Sequence, residues 1–234
     1  MMTTIERELN TRVRGKSGQA KWLGEGVRQT LLFPALKMYT PLTIKGVENL
    51  KGEQPFIFVA NHASHLDAPL LLEALPIHLR VRVRVAAAAD YFFNRPWKGL
   101  LVSTVLNAFP LVRKGIGCLN SLAQVQELLR NGQSLVVFPE GTRTVDGNLQ
   151  PFKRGIARLA MTRGVQVVPV WIEGTHAALP KGSHWPHHQA VSITFGTPLS
   201  FAPGSNAAHV TAEIEQSVQN LAPHCVALPE KVCM

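Results

Sequence analysis

The stretch PFIFVANHASHLD, residues 55–67, sets an apolar, aromatic-rich run directly against two histidines, a serine and an aspartate. The run PFIFVA has the length of a buried strand. The polar block NHASHLD (61–67) begins where side chains of α/β proteins face the substrate crevice, just past a strand's carboxyl end. Ser64, followed three residues later by Asp67 and then by APLLLEAL, has capping-box spacing, so Ser64 is expected to cap a helix whose first turn holds Asp67.

Outward from this stretch, four more runs read as strands: VRVRV (81–85), SLVVF (134–138), VQVVPVW (165–171) and VSITF (191–195). In the first, Val81, Val83 and Val85 share one face and Arg82 and Arg84 the other. Pro169 marks its run as an edge or irregular strand. Helical stripes lie between them, through Leu122, Val125, Leu128 and Leu129, and through Ile156, Leu159 and Ala160. Val210, Ile214, Val218 and Leu221 predict a last helix near 207–221. Alternating strand and helix predict an α/β fold, with a largely parallel central sheet flanked by helices and an amphipathic helical region at the N-terminus. That region, 21–40, carries Trp22, Leu23, Val27, Leu31, Leu32, Phe33 and Leu36 between Lys21, Arg28 and Lys37. Two readings of it stand open: a membrane-interface helix, or a helix packed on the core.

The chain has 234 residues, 46% of them hydrophobic, which fits one domain with a short appendage. Its formal charge of +9 is uneven, since residues 1–51 hold nine Lys/Arg against four Asp/Glu. Arg80, Arg82, Arg84, Arg95 and Lys98 form a second cationic cluster. Such a balance favours acidic lipid, nucleic acid or phosphorylated small molecules. An aromatic content of 7% offers little for stacking on bases, so nucleic acid is not the expected partner. Cys118, Cys225 and Cys233 make no paired framework, which fits a reducing, cytoplasmic-side location. The first twenty residues lack the apolar core of a secretory signal. One uncharged, strongly apolar segment, Gly99 to Val112, has 14 residues, whereas a spanning helix needs about 20. It reads as a buried or interfacial element.

His62 and Asp67 suit a general base. An aspartate bonded to one ring nitrogen fixes the tautomer and leaves the other free to accept a proton. A metal site through His62 and His65 would need Asp67, His184, His187 or His188 as a third ligand, and neither an H-E-x-x-H nor a cysteine pair is present, so no metal is expected. Serine chemistry would want G-x-S-x-G, which is absent, and GKS at 15–17 lacks the first glycine of a phosphate loop.

FPEGTRT (138–144) again places polar residues just past a strand. Gly141 permits close backbone approach, and Arg143 offers a planar fork for phosphate oxygens. Arg113, in FPLVR, lies just beyond another apolar run, and Lys153 and Arg154 stand ready to join them around one phosphate.

In order and approximate spacing, NHASHLD, FPLVR, FPEGTRT and VVPVWIEGT resemble the four blocks of the glycerolipid acyltransferases typified by bacterial 1-acyl-sn-glycerol-3-phosphate acyltransferase, over about residues 46–200. The resemblance implies that His62 is the general base and Asp67 its orienting partner. It implies that Arg113, Glu140, Gly141, Thr142 and Arg143 form the site of the phosphorylated acceptor. Thr144 stands where the family most often has serine. The implied domains are a basic membrane-associating segment, 1–45, and an acyltransferase domain, 46–234. The implied reaction moves a fatty acyl group from acyl-CoA or acyl carrier protein, with no cofactor, to lysophosphatidate at the cytoplasmic side of a membrane, where the protein is peripheral or interfacial. Rival readings are another lysolipid acceptor such as a lyso-ornithine lipid, a lysophospholipid hydrolase, and a non-catalytic basic membrane-binding module.

Overall fold

The computed structural model describes residues 18–52, 55–88, 96–111, 116–183 and 185–223. Among these, β1 (Leu42–Lys45), β2 (Phe56–Ala60), β3 (Val83–Ala88), β4 (Ala108–Leu111), β5 (Ser134–Val137), β6 (Gln166–Glu173) and β7 (Val191–Phe195) form one sheet in the order β1-β7-β6-β2-β5-β3-β4. Every neighbouring pair is parallel except β6 with β7, so the sheet is largely parallel, as the alternation of elements predicts. Helices cover both faces. They are α1 (Gly18–Val27), α2 (Phe33–Tyr39), α3 (Asp67–Ala74), α4 (Ile77–Arg80), α5 (Pro96–Val105), α6 (Ile116–Arg130), α7 (Gly155–Ala160), α8 (Thr175–Ala178) and α9 (Ala207–Gln219).

Strand β2 explains the architecture. All five of its side chains are buried, with Phe56, Phe58 and Ala60 in one apolar layer and Ile57 and Val59 in the other. The first layer holds Phe33 and Leu36 of α2 and Leu70, Leu71 and Leu72 of α3. The second holds Val125 and Leu128 of α6, Ile156 and Leu159 of α7, and Val210 and Ile214 of α9. A strand covered on both faces needs no polar positions, which is why this one reads as an unbroken apolar run.

Three details depart from the sequence reading. Strand β3 starts at Val83, with Val81 and Arg82 in the preceding turn. Strand β6 lies inside the sheet, between β7 and β2, so Pro169 does not mark an edge. The carbonyl of Pro169 accepts from Gly196 N at 2.8 Å, just past the last β6–β7 pair, Val170 with Phe195. Its nitrogen faces the same side, where that ladder is interrupted before it resumes at the Val167–Leu199 bridge, so no continuous ladder loses a donor. Finally, the uncharged run 99–112 is not one element: α5 ends, Asn107 takes a φ of 51° and donates to Val83 O at 2.7 Å, and β4 follows.

The N-terminal helical run turns polar groups inward. Between α1 and α2, Arg28–Leu32 is a π-helical turn closed by Phe33 N–H to Arg28 O. Pro34 has no N–H for the carbonyl of Thr30, which favours this widening. Glu25 is buried, and its Oε2 accepts from Arg28 Nε and Nη2 at 2.9 and 2.6 Å. Its Oε1 accepts from Arg80 Nε at 2.9 Å and from Gln29 Nε2 at 3.0 Å. Arg28 also donates to Val105 O at 2.9 Å, and Arg80 lies over the Phe33 ring. Burial raises the Glu25 pKa, but bonds from Gln29 and Arg28 and the charges of Arg28 and Arg80 outweigh it and hold the carboxyl below its ordinary value.

The expected cationic cluster is therefore corrected in part. Arg80 is committed to Glu25 and Arg84 is buried in β3, while Arg82 is exposed. Their spacing in sequence says nothing of the folded partners that withdraw two of them from the surface. Arg95 lies outside the described residues. Strand β1 pairs with β7, so the sheet begins before residue 46.

Candidate active site

His62 and FPEGTRT meet because β2 and β5 are parallel neighbours, with Val59 opposite Val137. The chain leaves β2 for α3 on one face and β5 for α7 on the other, so a crevice opens beyond the two carboxyl ends. Asn61 fixes the start of the first loop. Its amide donates to Ile172 O at 2.9 Å and accepts from Ile172 N at 2.8 Å, which extends the contact of β2 with β6 through a side chain.

His62 is then held from three sides. Its Nδ1 lies 2.8 Å from Asp67 Oδ2, an oxygen that also accepts from Ala63 N at 2.7 Å and Ser64 N at 2.8 Å. A carboxylate oxygen only accepts, so Nδ1 carries the proton and Nε2 is left as an acceptor. The ring stacks on Phe138, with centroids 4.2 Å apart. Both main-chain groups of His62 are taken by the second loop: its N–H donates to Glu140 Oε1 at 2.6 Å, and its carbonyl accepts from Thr144 N at 2.9 Å. Asp67 is wholly buried, whereas the His62 side chain keeps 21% of its surface open.

Ser64 does not cap α3 in the expected way. The residue before the helix is Leu66, without a side-chain cap. Asp67 reaching back to Ser64 N supplies half of a capping box, while Ser64 Oγ accepts from Leu66 N at 3.2 Å and donates to Leu179 O at 2.8 Å. Ser64 thereby ties the histidine loop to the chain after α8.

Glu140 is placed differently from a group that meets a ligand. It is buried, and its oxygens accept from His62 N and from Gln150 N at 3.1 Å. Burial pushes its carboxyl up to about 7 against those two bonds, with Asp67 and Glu215 adding to the rise. Gly141 has a φ of 74°, and the Lys153 side chain covers the position where a Cβ would stand. Thr142 is exposed and Arg143 half-buried at the rim. Arg113 lies outside the described residues. Thr144 is buried and donates from Oγ1 to Asp146 at 2.6 Å.

His65 is exposed at its surface, yet the protein around the ring, Arg143 and His62 lower its pKa to about 4, opposed by Asp67. It is neutral near pH 7. Among the described residues no three His, Cys, Asp or Glu side chains converge on one point. Sequence reasoning also missed Lys181, whose Nζ lies 3.4 Å from Arg143 O and 3.5 Å from Thr142 Oγ1. Its loop reads in sequence only as an exposed, proline-punctuated connection.

Residues 41–173 match the profile of a family described as Acyltransferase. The chain is similar to the chloroplastic 1-acyl-sn-glycerol-3-phosphate acyltransferase BAT2 of Brassica napus, 35% identical over 145 residues, 60% of this chain and 39% of that one. It is 35% identical to the corresponding LPAT1 of Arabidopsis thaliana over 159 residues, 65% of this chain and 42% of that one. The chain spans about half the length of the curated relatives it matches or less. Its fold is similar to the crystal structure of the 1-acyl-sn-glycerophosphate (LPA) acyltransferase PlsC from Thermotoga maritima, with a TM-score of 0.61, 25% identity, and coverage of 95% of this chain and 85% of that one.

Proposed function

The chain belongs to the acyltransferase family, and on that premise we propose that it moves a fatty acyl group from acyl-CoA or acyl carrier protein to the free hydroxyl of lysophosphatidate, giving phosphatidate. The observation that carries this reading is the His62–Asp67 pair, 2.8 Å apart, with Nε2 left to accept a proton at the mouth of the crevice. In the reaction His62 Nε2 takes the hydroxyl proton as the oxygen bonds to the thioester carbonyl carbon. The tetrahedral adduct then expels the thiolate, which recovers the proton from His62. Ester and free thiol result, with no acyl-enzyme. Asp67 holds the tautomer and stabilises the imidazolium formed in between. Glu140 and Thr144 act as positioning residues that hold the main chain of His62, while Arg143, with Gly141, Thr142 and Arg113, receives the acceptor phosphate. General-base help of this kind is worth about 10²–10⁴ in rate, and positioning supplies the rest.

The reading also puts the protein on the cytoplasmic side of a membrane, peripherally. Trp22, Leu23, Leu31 and Met38 are exposed, Met38 to 72%, on the helical run whose Glu25 and Arg28 face inward. Among the described residues no helix is long and apolar enough to cross a membrane. Four large apolar side chains left open on a run that still buries Phe33 and Leu36 give it apolar surface to lay on lipid, and the basic N-terminal balance adds attraction to anionic lipid.

One experiment tests both parts. A panel of lysolipids presented in acidic liposomes is offered with acyl-CoA, the diacyl product identified by mass spectrometry, and the liposomes sedimented. Lysophosphatidate is expected to be acylated and the protein to sediment, and His62→Ala is expected to lose at least about 10² in rate with the fold intact. Release of free fatty acid without acceptor would make the enzyme a hydrolase. Absence from the pellet at every salt concentration would refute the membrane contact.

A further inference from the structure

We propose that Lys181 is a specificity-determining residue of the acceptor site, an ammonium that contacts the phosphate monoester of the lysolipid beside Arg143. This rests on the acyltransferase reading of the site. Three observations carry it. The loop that presents Lys181 is fixed to the histidine loop, since Ser64 Oγ donates to Leu179 O at 2.8 Å. The lysine sits in a tight turn closed by Ser183 N to Pro180 O at 3.0 Å, with Gly182 at a φ of 99°, and His187 N to Ala178 O at 2.7 Å closes the wider loop. The turn therefore fixes where the long side chain starts.

The ammonium then leans on the second loop, 3.4 Å from Arg143 O and 3.5 Å from Thr142 Oγ1. Both partners are neutral oxygens at long range, and at least one of the three ammonium donors remains to be used. Three cationic residues, Lys181, Arg143 and Lys153, thus gather along FPEGTRT, where Lys153 covers Gly141, and among the described residues none of the three has a carboxylate within ion-pair distance. A phosphate monoester carries about −1.5 to −2 charges near neutral pH and three acceptor oxygens, which is the complement of such a cluster. A zwitterionic diester supplies less charge. Lys181 thereby favours lysophosphatidate over lysolipids whose phosphate carries a second ester.

The same chemistry is present in the 3′-phosphate of a coenzyme A donor, so the test separates the two sources. Steady-state kinetics are measured on the full chain with lysophosphatidate and either acyl-CoA or acyl-dephospho-CoA. Lys181→Ala should raise the KM for lysophosphatidate about tenfold, with kcat changed much less and the KM for either donor unmoved. Lys181→Arg should restore most of the loss, and Ser183→Ala, in the same turn, should behave as wild type. An unchanged KM for lysophosphatidate, or a loss that falls on acyl-CoA and vanishes with the dephospho donor, would overturn the assignment while leaving the enzyme's reaction in place. Absence of transfer to lysophosphatidate by the wild type would instead remove the reading beneath it. Equal losses in Ser183→Ala would reduce Lys181 to a part of the turn.

Discussion

Two buried glutamates organise the two ends of this molecule, and they do so with opposite electrostatics. Glu140, in the site, accepts from two neutral main-chain N–H groups and is pushed up to about 7. Glu25, in the N-terminal helical run, accepts from the Gln29 amide and faces the guanidinium groups of Arg28 and Arg80, which together hold it below its ordinary value. Both are buried to about the same degree. Burial alone therefore does not decide the ionisation of a carboxyl; the donors that meet it do, a neutral amide and two guanidinium groups at Glu25 against two main-chain N–H groups at Glu140. The first glutamate fixes a loop by geometry, whereas the second fixes a helix by charge.

The contrast is broken most forcefully at Glu25. Glu25→Ala leaves Arg28 and Arg80 buried without their counter-ion, at a cost of about 3–5 kcal/mol, which urea unfolding would read directly. The same pair predicts acid lability. With its folded pKa depressed, Glu25 contributes stability above the ordinary carboxyl range and loses it as pH falls through that lowered value. A loss below about 1 kcal/mol in Glu25→Ala would mean that the two arginines find other partners and that charge does not hold this helix.

Glu140 should respond with the other sign. Between its ordinary 4.5 and about 7 the folded chain holds a proton that the unfolded chain has released, so this group's contribution to stability falls as pH rises through that window and is level above it. Glu140→Gln cannot ionise. Whatever its offset at pH 5, its stability relative to wild type should shift in its favour by up to about 3 kcal/mol by pH 8, since a tenfold difference in proton affinity between the folded and unfolded chain corresponds to about 1.4 kcal/mol. Parallel stability profiles for the two proteins over this range would show that the main-chain donors keep Glu140 ionised throughout.

The sequence displays the Glu140 end better than the Glu25 end, for a physical reason. At the site, an apolar strand and the polar residues it delivers are contiguous, so PFIFVA followed by NHASHLD exposes both the element and the chemistry. At the other end, Glu25 and Arg80 are 55 residues apart, and nothing local to IHLR (77–80) or KWLGEGVR (21–28) announces that these charges face inward. Charge in a sequence reads as surface because most charge is surface. The two edge strands are hidden for different reasons: β1 has four residues, mostly exposed, and β4 lies inside an uncharged run shared with α5. Within the site, residue types point to His62 and Asp67, but the inward turn of Glu140 and the reach of Lys181 depend on tertiary register, which no local pattern encodes.

The smallest expected effects come from one methyl group added in each region. Gly26 lies in α1 with no heavy atom within 4 Å of a Cβ placed there, so Gly26→Ala should stabilise by about 0.5–1 kcal/mol through reduced freedom of the unfolded chain. At Gly141 the φ of 74° is a left-handed conformation that costs an alanine about 1–2 kcal/mol, and its methyl would meet the Lys153 side chain. The atoms in the way are the far end of a flexible lysine, so the ammonium moves and the backbone stays. The same substitution therefore has opposite signs at the two ends, read as an upward and a downward shift of the urea midpoint with the slope unchanged. Only Gly141→Ala displaces a cation from FPEGTRT, so it alone should also raise the KM for lysophosphatidate. A Gly141→Ala protein of wild-type stability would show that this turn relaxes freely, and that the glycine serves access to the crevice and not the backbone.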